Sequence, residues 1–260
     1  MAPDLFPLDL TTFQGFLLVF VRMSALFGFL PIFGGSAPKT AKAGLALTTS
    51  FVLFPLVDIS RIDIGMDVMT LALLVTAEAL VGLLTAYLVT LMFAAIQMAG
   101  YIIGFQIGFG IVNVVDPSSG QEVSIVAQFM NILAMLLFLS LNIHHFMLLG
   151  FAEGFRLVPP GVFHPDAAMG KLMVDALGGM LMTAAQLSAP ITVGLLLKQL
   201  AMGILARTVS QMNIFVLGFP ITIAVGLFAL ALLMAPYRNA FSRLFMENLE
   251  QIDRLFGLMV

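Results

Sequence analysis

The chain has 260 residues, of which 61% are hydrophobic and only 10% charged, with a formal net charge of −3 and a mean hydropathy of +1.10. Soluble domains carry about a quarter charged residues, so there is too little polar surface here to cover a water-soluble globule, and most of the chain must face lipid or other protein. The small negative charge gives no electrostatic basis for binding nucleic acid, and the absence of cysteine excludes a disulfide framework and thiolate metal sites.

The N-terminus, MAPDLFPLDLTTFQ, has Asp4 and Asp9 and no basic residue ahead of the first apolar run. It lacks the positive n-region of a cleavable signal, so that run is expected to be retained. A spanning helix needs about 20 mainly apolar residues. Suitable runs are 13–33, 67–99, 123–150, 172–197 and 213–235, with a shorter one at 43–57 that spans with its flanks or forms one arm of a hairpin. The expectation is an all-α membrane protein of about six long apolar helices. Pro31, Pro55, Pro190 and Pro220 fall in these runs and predict kinks or interruptions. Backbone groups freed at membrane depth must be satisfied by protein or a water-lined cavity. A chain of this kind is expected to depend on partners for stable folding.

Lys39 and Lys42 favour a cytoplasmic loop after the first run, whereas an even number of spans then places Arg238, Arg243 and Arg254 outside. The two signals conflict. The stretch 151–171 (FAEGFRLVPPGVFHPDAAMGK) is the best internal boundary, with Pro159-Pro160 stopping any helix. In the C-terminal stretch, Tyr237, Phe241, Leu244, Phe245, Ile252, Leu255 and Phe256 share one helical face opposite Arg, Glu and Asp, as in a membrane-surface or partner-packing helix.

Charged residues within spans are functional candidates by default. Here these are Arg22, Glu78 and Lys198. Two readings fit Arg22 and Glu78: a structural ion pair between helices, which is the commoner case, or an ion or substrate path. His144 and His145 are adjacent, so they point to different helix faces, and His164 stands alone; a terminal or interface role suits them better than metal binding. No nucleophile elbow, phosphate loop or zinc-protease motif is present, which argues against an enzyme. No cofactor or metal is expected.

Gly100, Gly104 and Gly108 recur every fourth residue and form a small-xxx-small face for close helix packing. The character then changes. Phe109, Gly110, Ile111, Val112, Asn113, Val114 and Val115 form an apolar, partly β-branched run, a poor helix continuation, and Asp116-Pro117-Ser118-Ser119-Gly120 is a strong turn signal. Such a segment needs a protein-lined place to sit, because water would meet its apolar side chains and lipid its unsatisfied backbone. A hydrophobic plug in a pore and a re-entrant loop packed within the subunit meet that need equally well.

Four stretches resemble the FliR family of flagellar type III export-gate subunits: RMSALFGFLPIFGGSAPKTAKAGLAL (22–47), GFQIGFGIVNVVDPSSG (104–120), FLSLNIHH (138–145) and NIFVLGFPITIAVGL (213–227). The similarity runs through nearly the whole chain in the expected order. It implies a protein that is not an enzyme, in the bacterial inner membrane at the flagellar basal body. There it would close a ring of FliP-type subunits, with FliQ-type subunits outside and FlhB-type and FlhA-type subunits as further partners. Unfolded flagellar proteins would be the cargo. The resemblance also implies a ring-subunit-like part over 1–150 that includes a plug loop at 106–120, a polar linker over 151–171, and a peripheral hairpin with its C-terminal helix over 172–260. It makes Phe109 to Val115 the plug and Asp116-Pro117 its base. Virulence injectisomes use a homologous subunit and are the alternative within the family. A small-solute secondary transporter using Arg22 and Glu78 is the alternative outside it, although no repeat of interrupted helices in two halves is visible.

Overall fold

The computed structural model describes residues 10–31, 38–58, 68–109, 124–208 and 214–260, and these are helical with no strand among them. In chain order the helices are α1 (Leu10–Phe29), α2 (Lys39–Leu53), α3 (Val68–Ile107), α4 (Ile125–Ser140), α5 (Ile143–Leu157), α6 (Ala167–Thr208), α7 (Ile214–Leu232) and α8 (Met234–Gly257). Within the described residues α1, α3 and α6 are each long and apolar enough to cross a membrane, and counting the pairs α4–α5 and α7–α8 as broken spans raises the number to five. The protein is an all-α membrane protein.

Proline and asparagine set the helix limits. Pro31 lies just beyond the end of α1, and Pro55 sits in the short 3-10 helix Phe54–Leu56 that closes α2. The run 43–57 thus becomes a 15-residue helix, short of a full crossing. The run 123–150 is divided at Asn142, which takes a left-handed conformation (φ 56°) between α4 and α5. Helix α5 then continues through the first part of the polar stretch to Leu157, because Phe151 and Phe155 extend the buried i, i+4 row begun by Ile143 and Met147. Between α7 and α8 the axis bends by 58°. Pro236, shortly beyond the break, has no N–H to offer the Leu232 carbonyl, so the ladder cannot run through the corner.

The chain forms two compact units, each assembled from separate stretches. One comprises Met1–Leu91, Asn142–Ala176 and Met246–Val260. In it α1 packs on α2, Lys42 Nζ donates to the Gly28 carbonyl at the end of α1 (3.1 Å), and Asn248 Nδ2 donates to the Leu88 carbonyl of α3 (2.8 Å). Its core includes Leu18, Met23, Leu26, Leu88, Phe155 and Leu255. A cation at a helix C-terminus meets the negative end of the dipole, which suits Lys42.

The other unit comprises Met92–Leu141 and Leu177–Phe245. Phe93, Phe138 and Phe245 meet at its centre with ring centroids 5.6–6.2 Å apart. Pro190 lies inside α6 and deprives the Gln186 carbonyl of its donor. One residue on, the Leu187 carbonyl accepts a buried hydrogen bond from the Tyr237 hydroxyl (2.8 Å), and Ser188 Oγ donates to the Ala185 carbonyl (3.1 Å). Hydroxyl donors at a proline site are a common means of restoring lost backbone bonding at membrane depth. Tyr237→Phe leaves the Leu187 carbonyl without this donor in a buried place, and is expected to destabilise the protein by about 1 kcal/mol. Thermal unfolding in detergent reads it, and an unchanged midpoint would show that the bond contributes nothing net.

Candidate functional site

Each unit holds polar or small residues that draw helices together. In the first, Arg22 stands on α1 and Glu78 on α3, only 3% and 0% exposed respectively. Arg22 Nε donates to Glu78 Oε2 at 2.6 Å. Arg22 Nη1 donates to the Val158 carbonyl at 2.9 Å, and the guanidinium lies over the Phe155 ring with its centre 4.4 Å from the centroid. Glu78 uses its other oxygen, Oε1, to accept the Gly161 N–H at 3.1 Å.

The loop that supplies these backbone groups has a shape dictated by its residues. The Val162 N–H donates to the Pro159 carbonyl (3.1 Å), with Pro160 and Gly161 at the turn's centre and Gly161 at φ 89°. Proline followed by a residue of positive φ is the signature of a type II turn, and glycine takes that φ without steric cost. Gly82 completes the arrangement on α3: a Cβ there would overlap the Arg22 carbonyl and the Ala25 side chain. The two helices are therefore in close contact one turn beyond Glu78, which brings the arginine within reach.

The ion pair that sequence reasoning left open is thus made, and backbone groups of the chain bind both its members, while Arg22 Nη2 is buried with no hydrogen-bond partner among the described residues. Gly82, the turn at 159–162 and the C-terminal tie from the His164 N–H to the Met259 carbonyl (3.2 Å) were missed. Gly82 had a visible signal, since Ala86 follows at i+4 and gives a small-xxx-small pair on α3. An apolar cavity of about 500 Å³ in the same unit is lined by Phe29, Leu80, Leu83, Leu84, Tyr87, Thr90 and Met173, and neither charged residue belongs to that lining. The rings of His144 and His145 lie against each other, tilted by 37°, with centroids 4.1 Å apart. Among the described residues no three His, Cys, Asp or Glu groups gather as a metal site.

In the second unit the glycine series of α3 is engaged at every member. A Cβ on Gly100 would meet the backbone of Ala127 on α4, and one on Gly104 would overlap the Ser124 hydroxyl that caps α4. Gly108 (φ 102°) ends α3, with the Phe219 ring of α7 against it. Its N–H donates to the Phe105 carbonyl and that of Phe109 to the Gly104 carbonyl, both at 3.1 Å. That pair of bonds is a Schellman cap, which glycine favours because the capping residue is left-handed. On the far side, Ser124 Oγ accepts from the Ala127 N–H (3.3 Å) and starts α4. The residues flanking 110–123 are therefore fixed beside each other at Gly104. Phe109 is half-buried; Gly110, Ile111, Val112, Asn113, Val114, Val115, Asp116 and Pro117 lie outside the described residues.

Lys198 on α6 reaches α7, where its Nζ donates to the Gly218 carbonyl (3.3 Å) and the Thr222 hydroxyl. Thr222 Oγ1 in turn donates to the Gly218 carbonyl (2.6 Å), close to Pro220. The lysine thus braces the proline-containing part of α7.

Removing one member of a buried pair strands the other charge and costs about 3–5 kcal/mol, whereas replacing both by apolar residues is often near neutral. Glu78→Gln or Arg22→Met alone should sharply lower the thermal midpoint in detergent, and the double variant Arg22→Met/Glu78→Met should recover most of the loss. Equal loss in the single and double variants would mean that the pair itself is not what matters. Gly108→Ala forces a side chain into positive φ and against Phe219, for a cost of about 1–3 kcal/mol; limited proteolysis near residue 109 should accelerate, and unchanged cleavage would rule out the cap as an anchor.

A profile of the family described as bacterial export proteins, family 1, matches residues 13–248. The flagellar biosynthetic protein FliR of Bacillus subtilis is 37% identical over 255 residues, covering 95% of this chain and 97% of that one. Those of Pectobacterium carotovorum and Escherichia coli are 35% and 32% identical, covering 83% and 86% of this chain and 82% and 87% of theirs. On these matches, which run through most of the length of both sequences, the chain belongs to the FliR family of bacterial export proteins.

Proposed function

We propose that the chain is a subunit of the flagellar type III export gate, which closes the ring of the export channel and seals it with the hydrophobic segment 109–117. Membership of a family of export proteins whose relatives are named flagellar biosynthetic proteins supports the coarser part of this reading. The flagellar names of the relatives favour a flagellar over an injectisome role. The observation that carries the plug is the anchoring of both flanks, by the Gly108 cap against Phe219 and by the Ser124 cap against Gly104. Flanks fixed beside each other support this reading, because a seal needs both of its ends tethered to the helices around it.

The partners on this reading are FliP-type and FliQ-type ring and peripheral subunits, FlhB-type and FlhA-type subunits, and unfolded flagellar proteins in transit. The site of action is the bacterial inner membrane at the basal body. The two-part division, ring-like over 1–150 and hairpin-like over 172–260 with 151–171 between, belongs to the same proposal and rests on the resemblance. Its mechanism is assembly and gating, with no chemical step. Arg22 and Glu78 serve as glue between helices, since each is bonded to the other and to backbone of this chain. A transporter would need one of them to face a solute path.

Deletion of Gly110–Val115 is expected to leave assembly with the neighbouring subunits intact and to make cells expressing the gate leak ions or small solutes. The leak is measured as loss of membrane potential at matched protein levels. An assembled gate that stays sealed after the deletion would overturn the plug assignment, and an isolated chain whose solute uptake is abolished by Glu78→Gln would return the transporter.

A further inference from the structure

The end of α3 rests on one face of α7. Phe219, Thr222 and Gly226 share that face, at spacings of three and four residues. A Cβ on Gly226 would overlap the Ile107 side chain, and one on Gly108 would lie 2.9 Å from the Phe219 ring. The last residue of α3 and the glycine that caps it are thus each pressed against α7, on either side of Thr222. Ile107 and Thr222 are both buried.

Helix α6 grips α7 at the same place. Lys198 Nζ donates to the Gly218 carbonyl (3.3 Å) and to the Thr222 hydroxyl, and that hydroxyl donates onward to the Gly218 carbonyl (2.6 Å). These two anchors flank Phe219 in the chain, and Pro220 lies between them. Proline has no N–H, so the turn of α7 that carries Phe219 is one backbone hydrogen bond short. A turn weakened in this way gives more readily than the helix beyond it, and an ammonium bound to its carbonyl restrains it. Among the described residues Lys198 joins no ion pair, and its half-buried charge is held by these two oxygens.

We propose that Lys198 is a positioning residue for the gate: by holding Gly218 and Thr222 it keeps the Phe219 ring on Gly108, and so fixes the end of α3 from which residues 109–117 depart. Without the ammonium the turn at Pro220 relaxes, the ring withdraws, and the cap made by the Gly108 and Phe109 N–H groups loosens. The role in gating rests on the reading of 109–117 as a seal, whereas the chain of contacts from Lys198 to Gly108 does not.

The test makes two measurements on the full chain assembled with its neighbouring subunits. One is hydrogen exchange at the Gly108 and Phe109 amides in mild detergent, and the other is the membrane potential of cells expressing the gate at matched levels. Lys198→Met keeps the apolar stem of the side chain and removes the ammonium. It should speed exchange at both amides by on the order of tenfold, as for the loss of one charge-assisted hydrogen bond, and it should make the cells leak. Thr222→Val should act in the same direction, while Thr222→Ser, which keeps the hydroxyl, should match the wild type. Phe219→Ala should speed exchange by itself, and adding Lys198→Met to it should speed exchange no further, because a residue that acts through the ring then has nothing to act on. A lysine that only braced α6 against α7 would instead give additive effects. Unchanged exchange in Lys198→Met, or an additive increase in the double variant, overturns the proposal. Faster exchange in a gate that stays sealed supports the chain of contacts and overturns the reading of 109–117 as the seal.

Discussion

A charge or a backbone carbonyl with no water at hand must find its partner inside the protein, and this requirement organises both units of the chain. Arg22 and Glu78 meet it by pairing with each other and then with backbone groups at Val158 and Gly161. One polar contact therefore ties α1, α3 and the turn after α5. Its cost is large if half-made, because the hydration a buried charge loses is then not offset by attraction to a partner. The residues that support it are correspondingly particular. Gly82 allows α1 and α3 to close up, and Gly161 takes the positive φ that turns its N–H toward the carboxylate.

The same requirement explains how prolines are accommodated. Pro190 and Pro220 remove donors from α6 and α7, and hydroxyl or ammonium groups lie beside the affected turns. Tyr237 does this across from α8, while Lys198 and Thr222 do it between α6 and α7. Pro236 has a different outcome, since it lies at a helix start where the ladder can simply break, and the chain turns there. Proline alone thus does not end a helix here, since α6 runs through Pro190 and α7 through Pro220.

Burial separates two kinds of apolar helix. The most apolar stretch of α3 is 61% buried and that of α6 only 28%. Helix α3 carries glycines at close contacts with other helices. Helix α6 exposes Leu181, Met182, Leu196, Leu197, Leu200 and Ile204, a surface suited to lipid or to other subunits. Much of the protein's apolar excess therefore lies on the outside, as suits a member of a membrane export family, while Arg22, Glu78 and Lys198 turn inward and hold the helices in register.

Composition and run length were enough to establish that the chain is helical and belongs in a membrane, because 61% hydrophobic residues in runs of about 20 have no other stable arrangement. Local signals also showed where α3 changes character, since Gly108, where the helix ends, stands before an apolar β-branched run that continues a helix poorly. They marked the buried face of α8, of which only Leu244 is less than fully buried. Which polar residues meet was settled by the tertiary fold. Arg22 and Glu78 are 56 positions apart and Arg22 and Val158 are 136 apart, and no local pattern encodes such a distance. The division of 123–150 at Asn142 and the extension of α5 to Leu157 were likewise matters of packing: hydropathy is blind to a left-handed residue in an apolar run, and buried phenylalanines outweigh polar neighbours in holding a helix together.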